Sequence, residues 1–159
     1  MQPNQNFDVN AFMNETVDAV LDTSFVPVPD GDHMGQIGTE EKSVDIATGI
    51  SPKNQKPWMR LDVQVELTDP NLKASLKRDR VTVRYGIMLD LNEQGKLDMR
   101  PQRNVNLGKL RDAVNQNRPG PWSFAMLKGQ PVKVRTKQRK AEDGSDNIYT
   151  DVVAVAKAQ

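Results

Sequence analysis

The chain has no cysteine and a single histidine, His33. Disulfides, cysteine nucleophiles and iron–sulfur clusters are therefore excluded, and a zinc site would lack its usual ligands. A reducing, intracellular setting fits that composition. Aromatic residues are scarce, at 5%, and no stretch approaches the roughly 20 consecutive apolar residues of a membrane helix. The opening "MQPNQNFDVN" lacks the basic region and apolar run of a secretory signal, so the expectation is a soluble chain with no membrane partner. Also missing are a phosphate-cradling glycine loop and a nucleophile with a histidine base. A magnesium nuclease built from Asp62, Glu66 and Asp90 fits by spacing, but nothing selects those carboxylates. The expectation is a protein that is not an enzyme and that uses no cofactor and no metal.

Positive charge is the last scarcity, and it is local. Residues 1–52 hold nine Asp and Glu against one basic residue, Lys42, so that third carries −8 while the remainder carries +9. The net charge of +1 is thus a cancellation between two oppositely charged parts, which suggests a polyanion-binding body with an acidic arm. For 159 residues one core is expected, because single domains commonly take about 100–150 residues. The boundary is set at the proline-interrupted "FVPVPDG": an acidic arm and linker over 1–30, then a domain over 31–157. Within the arm, "DVNAFMNETVDAVLD" predicts a helix with Asp8 as N-cap and Val9, Phe12, Met13, Val17, Val20 and Leu21 on one face.

What the chain does have is alternation. "WMRLDVQVEL" puts Met59, Leu61, Val63, Val65 and Leu67 on one face, with Trp58, Arg60, Asp62, Gln64 and Glu66 on the other. "RVTVRYGIMLDL" sets Val81, Val83, Tyr85, Ile87, Leu89 and Leu91 against Arg80, Thr82, Arg84, Met88 and Asp90. In "VKVRTKQR" the inner residues are Val132, Val134 and Thr136, and the outer ones Lys133, Arg135, Lys137 and Arg139. Asp143-Gly144 then turns the chain into "IYTDVVAVA", completing a hairpin. "HMGQIGTEEKSVDIA" reads as a weaker strand that Gly35 and Gly38 allow to bend. Between the strands, Asp69-Pro70 leaves room for a helical turn. "RNVNLGKLRDAVNQNRPG" is a clear helix, with Asn106 as N-cap and Leu107, Leu110 and Val114 on one side.

In order, the body reads strand 33–47, strand 57–67, strand 79–91, helix 106–116, strand 130–139 and strand 147–156. That is the element order of an OB-fold, a mainly β, five-stranded Greek-key barrel with one helix between its third and fourth strands, and OB-folds commonly bind oligonucleotides or oligosaccharides.

The stretches "VPVPDGDHMGQI", "YGIMLDLNEQGKLDM", "NVNLGKLRDAV" and "PGPWSFAMLKGQPVKVR" resemble a group of small bacteriophage-encoded proteins associated with single-stranded-DNA binding through an OB-fold. The resemblance covers residues 7–156. It implies sequence-nonspecific single-stranded DNA as ligand and a role in phage replication or recombination in the host cytoplasm; contacts with other phage replication proteins are expected through the acidic N-terminal arm. Better-known single-strand binders end in an acidic tail, whereas this chain ends "VVAVAKAQ". The acidic N-terminal arm is the segment that could do the tail's work.

Nonspecific binding of single strands needs cations along the phosphates and flat rings beneath unstacked bases. Trp58, Arg60, Arg80 and Arg84 are expected on one ligand face. Lys53 and Lys56 in the loop "TGISPKNQKP" border it, and Lys133, Arg135, Lys137 and Arg139 flank it, completing a basic groove. Trp58 either stacks a base or caps the barrel mouth, and Tyr149 is the second stacking candidate. Tyr85 reads as core unless Gly86 marks a bulge. Trp122 and Phe124 read as packing anchors, and His33 as an ordinary surface residue. Asp62 and Glu66 would repel phosphate unless they pair with Arg80 or Arg84 across strands. A phage structural protein, a capsid decoration or assembly factor whose arm wraps a neighbouring subunit, stays open as the alternative, and a homo-oligomer is compatible with both readings.

Overall fold

A computed structural model describes residues 8–21 and 25–158. Of the expected arm, residues 1–7 and 22–24 lie outside the described residues. The strands are β1 (Gly31–Ile37), β2 (Val44–Ile50), β3 (Pro57–Leu67), β4 (Val81–Met88), β5 (Pro131–Lys140) and β6 (Ile148–Ala156). The α-helices are α1 (Val9–Met13), α2 (Pro70–Leu76) and α3 (Val105–Ala113). The strands form one open, antiparallel sheet in the order β2-β3-β1-β5-β6, with β4 paired to β3. The fold is mainly β, as the alternation predicts. No described helix is long and apolar enough to cross a membrane.

The inner faces follow the period of two. Leu61, Val63, Val65 and Leu67 of β3 are buried, as are Val81, Val83, Tyr85 and Ile87 of β4, and Val132 and Val134 of β5. Each fully buried Val or Leu side chain contributes about 1.5–3 kcal/mol, so these faces fix the register. The ladder between β3 and β4 runs unbroken from Arg60↔Met88 to Leu67↔Val81. Tyr85 therefore stays in the core with no bulge at Gly86, and burial raises the pKa of its phenol.

The expected strand over 33–47 is two strands. β1 stops at Ile37, a 3₁₀ turn covers Glu41–Ser43, and β2 resumes at Val44. The corner is steric: a Cβ on Gly38 would lie 2.9 Å from the Cβ of Ser43 and closer still to its Oγ, so only glycine lets the chain fold back here. The buried Ser43 Oγ accepts a hydrogen bond from Glu40 N at 3.1 Å, tying off the turn. The expected five strands thus become six.

α2 is built on the Asp69-Pro70 pair. The Asp69 carboxylate accepts from Asn71 N at 2.9 Å, and Pro70 takes the first turn, where its missing N–H costs nothing. α3 has Asn104 rather than Asn106 at its N-cap, so it begins two residues earlier than that cap suggests, and it buries Leu107, Leu110 and Ala113. Asn104 sits at φ +53° and gives no side-chain cap to the helix. Its amide instead accepts from Asp90 N at 2.8 Å and donates to the carbonyls of Asp90 and Asp98, both at 3.0 Å. That clamp joins the end of β4 to the start of α3.

The linker is fastened to the body. Val28 is buried, Thr136 Oγ1 donates to the Pro29 carbonyl at 2.8 Å, and the Asp30 carboxylate accepts from Gln138 N at 2.6 Å. Arg78 donates to the Val26 carbonyl at 2.6 Å and lies 4.5 Å from the Phe25 ring centroid. Before this segment, Asp8 caps α1 as expected, accepting from Asn10 N and Ala11 N. The helix nevertheless ends at Met13, and Phe12, Met13, Val17, Val20 and Leu21 are all exposed. A five-residue helix with no apolar surface to rest on has little reason to extend.

Candidate nucleic-acid interface

Register brings Trp58, Arg60, Arg80 and Arg84 to the outer face of β3 and β4. Trp58 stands opposite Gly49 of β2, Arg60 opposite Ala47 of β2 and Met88 of β4, and Gln64 opposite Arg84. The half-buried Trp58 indole lies directly on Gly49, and the Arg60 guanidinium sits 5.6 Å from the ring centroid. Arg60 also grips Asp62 with two hydrogen bonds, at 2.7 and 3.1 Å, and this pairing raises the guanidinium pKa. Gly86 leaves room for that fork, since a Cβ there would meet Arg60 Cδ at 3.2 Å and Asp62 Oδ1 at 3.4 Å.

The cations of this face are not free. Arg84 lies 3.8 Å from Asp62, and Arg80 is 3.0 Å from Glu40 and 3.5 Å from Glu66. Asp62 and Glu66 thus pair with arginines across the strands, which lowers the repulsion they would offer a phosphate. Lys53 and Lys56 are exposed in the turn between β2 and β3, which Ser51 N closes by donating to the Lys56 carbonyl at 2.9 Å.

Lys133, Arg135, Lys137 and Arg139 lie on the outer face of β5, but β1 separates them from β3 in the sheet order. Arg135 is held by Asp32 of β1 at 2.9 and 3.4 Å, and its hydrogen bond keeps the Asp32 carboxyl below the usual carboxylate range. Arg139 is held by Asp151 of β6 at 2.7 and 3.4 Å and lies 5.3 Å from the ring centroid of Tyr149, which is 46% exposed. Among the described residues Lys133 and Lys137 form no ion pair. The body's own carboxylates therefore neutralise half of the stripe.

No protein-family model and no curated protein matches the chain. The interface has to be read from its own geometry.

That geometry adds Arg100 and Arg103, which do not stand out in the sequence. Together with Trp58, Asp90 and Asp98 they line a hollow of about 310 Å³ at the start of β3. Asp98 is only 4% exposed. Hydrogen bonds from the Arg100 side chain, the shortest at 2.6 Å, and from Arg100 N at 3.1 Å push its pKa down to about 2. Arg103 lies 3.8 Å from the same carboxylate. The signal in "MRPQRNV" is weak, two arginines around a proline, because the loop that carries them has no periodicity. Trp122 and Phe124 pack edge to face at 5.2 Å against the core, as expected of anchors. His33 is half-buried, with Nε2 2.9 Å from the Pro29 carbonyl oxygen. Among the described residues no cluster of three His, Asp or Glu side chains is placed to hold a metal ion.

Proposed function

We propose that the protein is a non-catalytic, sequence-nonspecific single-stranded-DNA-binding protein of phage replication or recombination, built on an OB-like barrel. β1 and β2 act as the two halves of one bent first strand. That strand pairs with β3 and β5, β4 pairs with β3, β6 pairs with β5, and α3 precedes β5, which supports reading the sheet as a five-stranded Greek key. β4 and β6 approach each other without a ladder, so closure between them rests on side chains.

The observation that carries the reading is the Trp58 platform. A half-buried indole with Arg60 beside it, Lys53 and Lys56 in the adjoining turn, and Arg100 and Arg103 across the hollow offers a surface for a base with cations around it for the phosphates. Lys133 and Lys137 extend the positive field on the far side of β1. The test is a fluorescence-anisotropy titration with an oligothymidylate at several salt concentrations. Binding that weakens steeply with salt is expected, because bound phosphates release counterions. Absence of binding at low salt overturns the reading.

A second reading, a phage structural protein whose arm packs on a neighbouring subunit, draws on the exposure of Phe12, Met13, Val17, Val20 and Leu21. Sedimentation of the full chain tests it, a stable oligomer that dissociates when residues 1–21 are removed being the expected result.

A further inference from the structure

A second and larger cleft, of about 470 Å³, adjoins the hollow beside Trp58 and shares Asp98 and Arg103 with it. It opens between α3, the loop before it and the loop of residues 117–122. Its volume falls within the roughly 300–1,000 Å³ of small-ligand sites. Three arginines line it, Arg103, Arg111 and Arg118, against one carboxylate, Asp98, which Arg100 already occupies.

Arg60, Arg80, Arg84, Arg135 and Arg139 on the sheet each have a carboxylate within ion-pair distance. Among the described residues Arg111 and Arg118 in this cleft have none, and neither does Arg78, whose side chain is taken up by the Val26 carbonyl and the Phe25 ring. Arg111 is half-buried. One of its terminal nitrogens donates to the carbonyls of Gln116 at 2.8 Å and Arg118 at 3.5 Å, and its guanidinium lies 4.4 Å from the Trp122 ring centroid. Its Nε is buried with no hydrogen-bond partner. Trp122 is itself fixed, its indole N–H donating to Gln116 Oε1 at 2.8 Å. The protein thus holds a guanidinium in a set orientation, at the cost of partly desolvating an unpaired charge, a cost that an anion would offset. The wall of the cleft beside that guanidinium is left open at Gly108 of α3, where an added Cβ would meet nothing within 4 Å. Glycine is a poor helix former, so its place in the middle of α3 comes from neither propensity nor crowding.

We propose that this cleft binds the phosphate monoester of a nucleotide. The phosphate is received by Arg103, Arg118 and the N–H groups of Arg111 left free by the two carbonyls, and the nucleoside lies along the open side of α3 at Gly108. Arginine suits this role because its planar fork pairs with phosphate oxygens through two parallel hydrogen bonds. The same chemistry is presented by a free mononucleotide and by the phosphorylated end of a single strand.

Calorimetric titration of the full chain separates these sources and tests the site. Thymidine monophosphate is expected to bind at least tenfold more tightly than thymidine or inorganic phosphate. Gly108→Leu, which fills the cleft and favours the helix, is expected to abolish that binding with no loss of melting temperature. Arg118→Ala, an exposed position, is expected to weaken it about tenfold and serves if Gly108→Leu does not fold. A several-fold preference for a 5′-phosphorylated oligothymidylate over its 5′-hydroxyl form identifies a strand end as the natural source, and the lack of that preference identifies the free nucleotide. Equal binding of phosphate and thymidine monophosphate, or undiminished binding in both variants, overturns the proposal. Failure of the 5′-hydroxyl oligothymidylate to bind would remove the single-strand reading above and leave the mononucleotide result standing.

Discussion

Replacing Gly49 by alanine is the sharpest probe of the Trp58 platform. An added Cβ would lie 2.6 Å from Cε2 and 2.8 Å from Nε1 of the indole, and closer still to Cζ2. Carbon atoms in contact rest about 3.5–4.0 Å apart, so the ring has to move outward by about 1 Å. Overpacking of this kind costs about 1–3 kcal/mol, and about 2 kcal/mol applies because the half-buried ring gives up part of its packing as it swings toward solvent. Alanine returns about 0.4–1 kcal/mol by restricting the unfolded chain, since the strand backbone at Gly49 suits any residue. The net destabilisation is about 1 kcal/mol, which in a chain of this length lowers the melting temperature by about 2–4 °C. Fluorescence in a Trp122→Phe background, where only Trp58 emits, should show a red shift and stronger acrylamide quenching in Gly49→Ala. If base stacking is worth about 1–3 kcal/mol, the displaced ring should also weaken oligothymidylate binding about fivefold or more. Unchanged emission and an unchanged melting temperature would refute the placement of the indole on Gly49, and intact emission changes with undiminished affinity would refute the platform as a binding surface.

On β5, replacing the unpaired Lys133 and Lys137 together by alanine should flatten the slope of log affinity against log salt by about 1.4, or about 0.7 per lost phosphate contact, whereas Arg135→Ala, which frees Asp32, should change it less; equal effects in the two proteins would deny the distinction between paired and unpaired cations. Removing residues 1–21 should tighten single-strand binding at low salt, with the gain shrinking as salt rises, if the acidic arm competes for the cationic faces. Truncation through residue 28 should in addition lower the melting temperature, because it removes the buried Val28 and the Phe25–Arg78 contact. Asp98→Asn tests the arginine loop. The pKa of this carboxyl is lowered from 3.8 to about 2 on folding, so its stabilising contribution is complete above about pH 4 and disappears as the pH falls toward 2. Thermal melts should show the variant less stable at neutral pH and converging with the parent across that window.

The strands were legible because their signal is local. In "VQVEL", "RVTVRYGI" and "VKVR" every second residue is apolar, and burial of that face settles orientation and register together. The corner at Glu41–Ser43 was not legible, because Val44 and Ile46 continue an alternating pattern beyond it and the break depends on Gly38 meeting Ser43 in space. The arm is the opposite case: its helical periodicity is plain, but among the described residues nothing covers the apolar face, and the helix stops after five residues. For the candidate site, the outward placement of Trp58, Arg60, Arg84 and Lys133–Arg139 followed from alternation, and the pairing of Asp62 and Glu66 with arginines followed from chemistry. The partners of the β5 stripe could not be read in advance, since Asp32 stands 103 residues from Arg135. Arg103, Arg111 and Arg118 lie in segments of different periodicity that only the Asn104 clamp and the Trp122 stack bring to one cleft.

The seam between β4 and β6 bears on how the domain opens. Every other strand junction is a ladder, and separating one would break a row of backbone hydrogen bonds that then need water to replace them. Between β4 and β6 no ladder exists, so the two edges can move apart while the hydrogen bonding of the sheet stays whole. The same edges carry unpaired amides and carbonyls, the groups that invite a strand from another chain. On β4 that edge belongs to the strand bearing Arg84, and on β6 to the strand bearing Asp151 and Tyr149, so a hinge running along this line would widen or narrow the distance between the two cationic faces without disturbing the register of either.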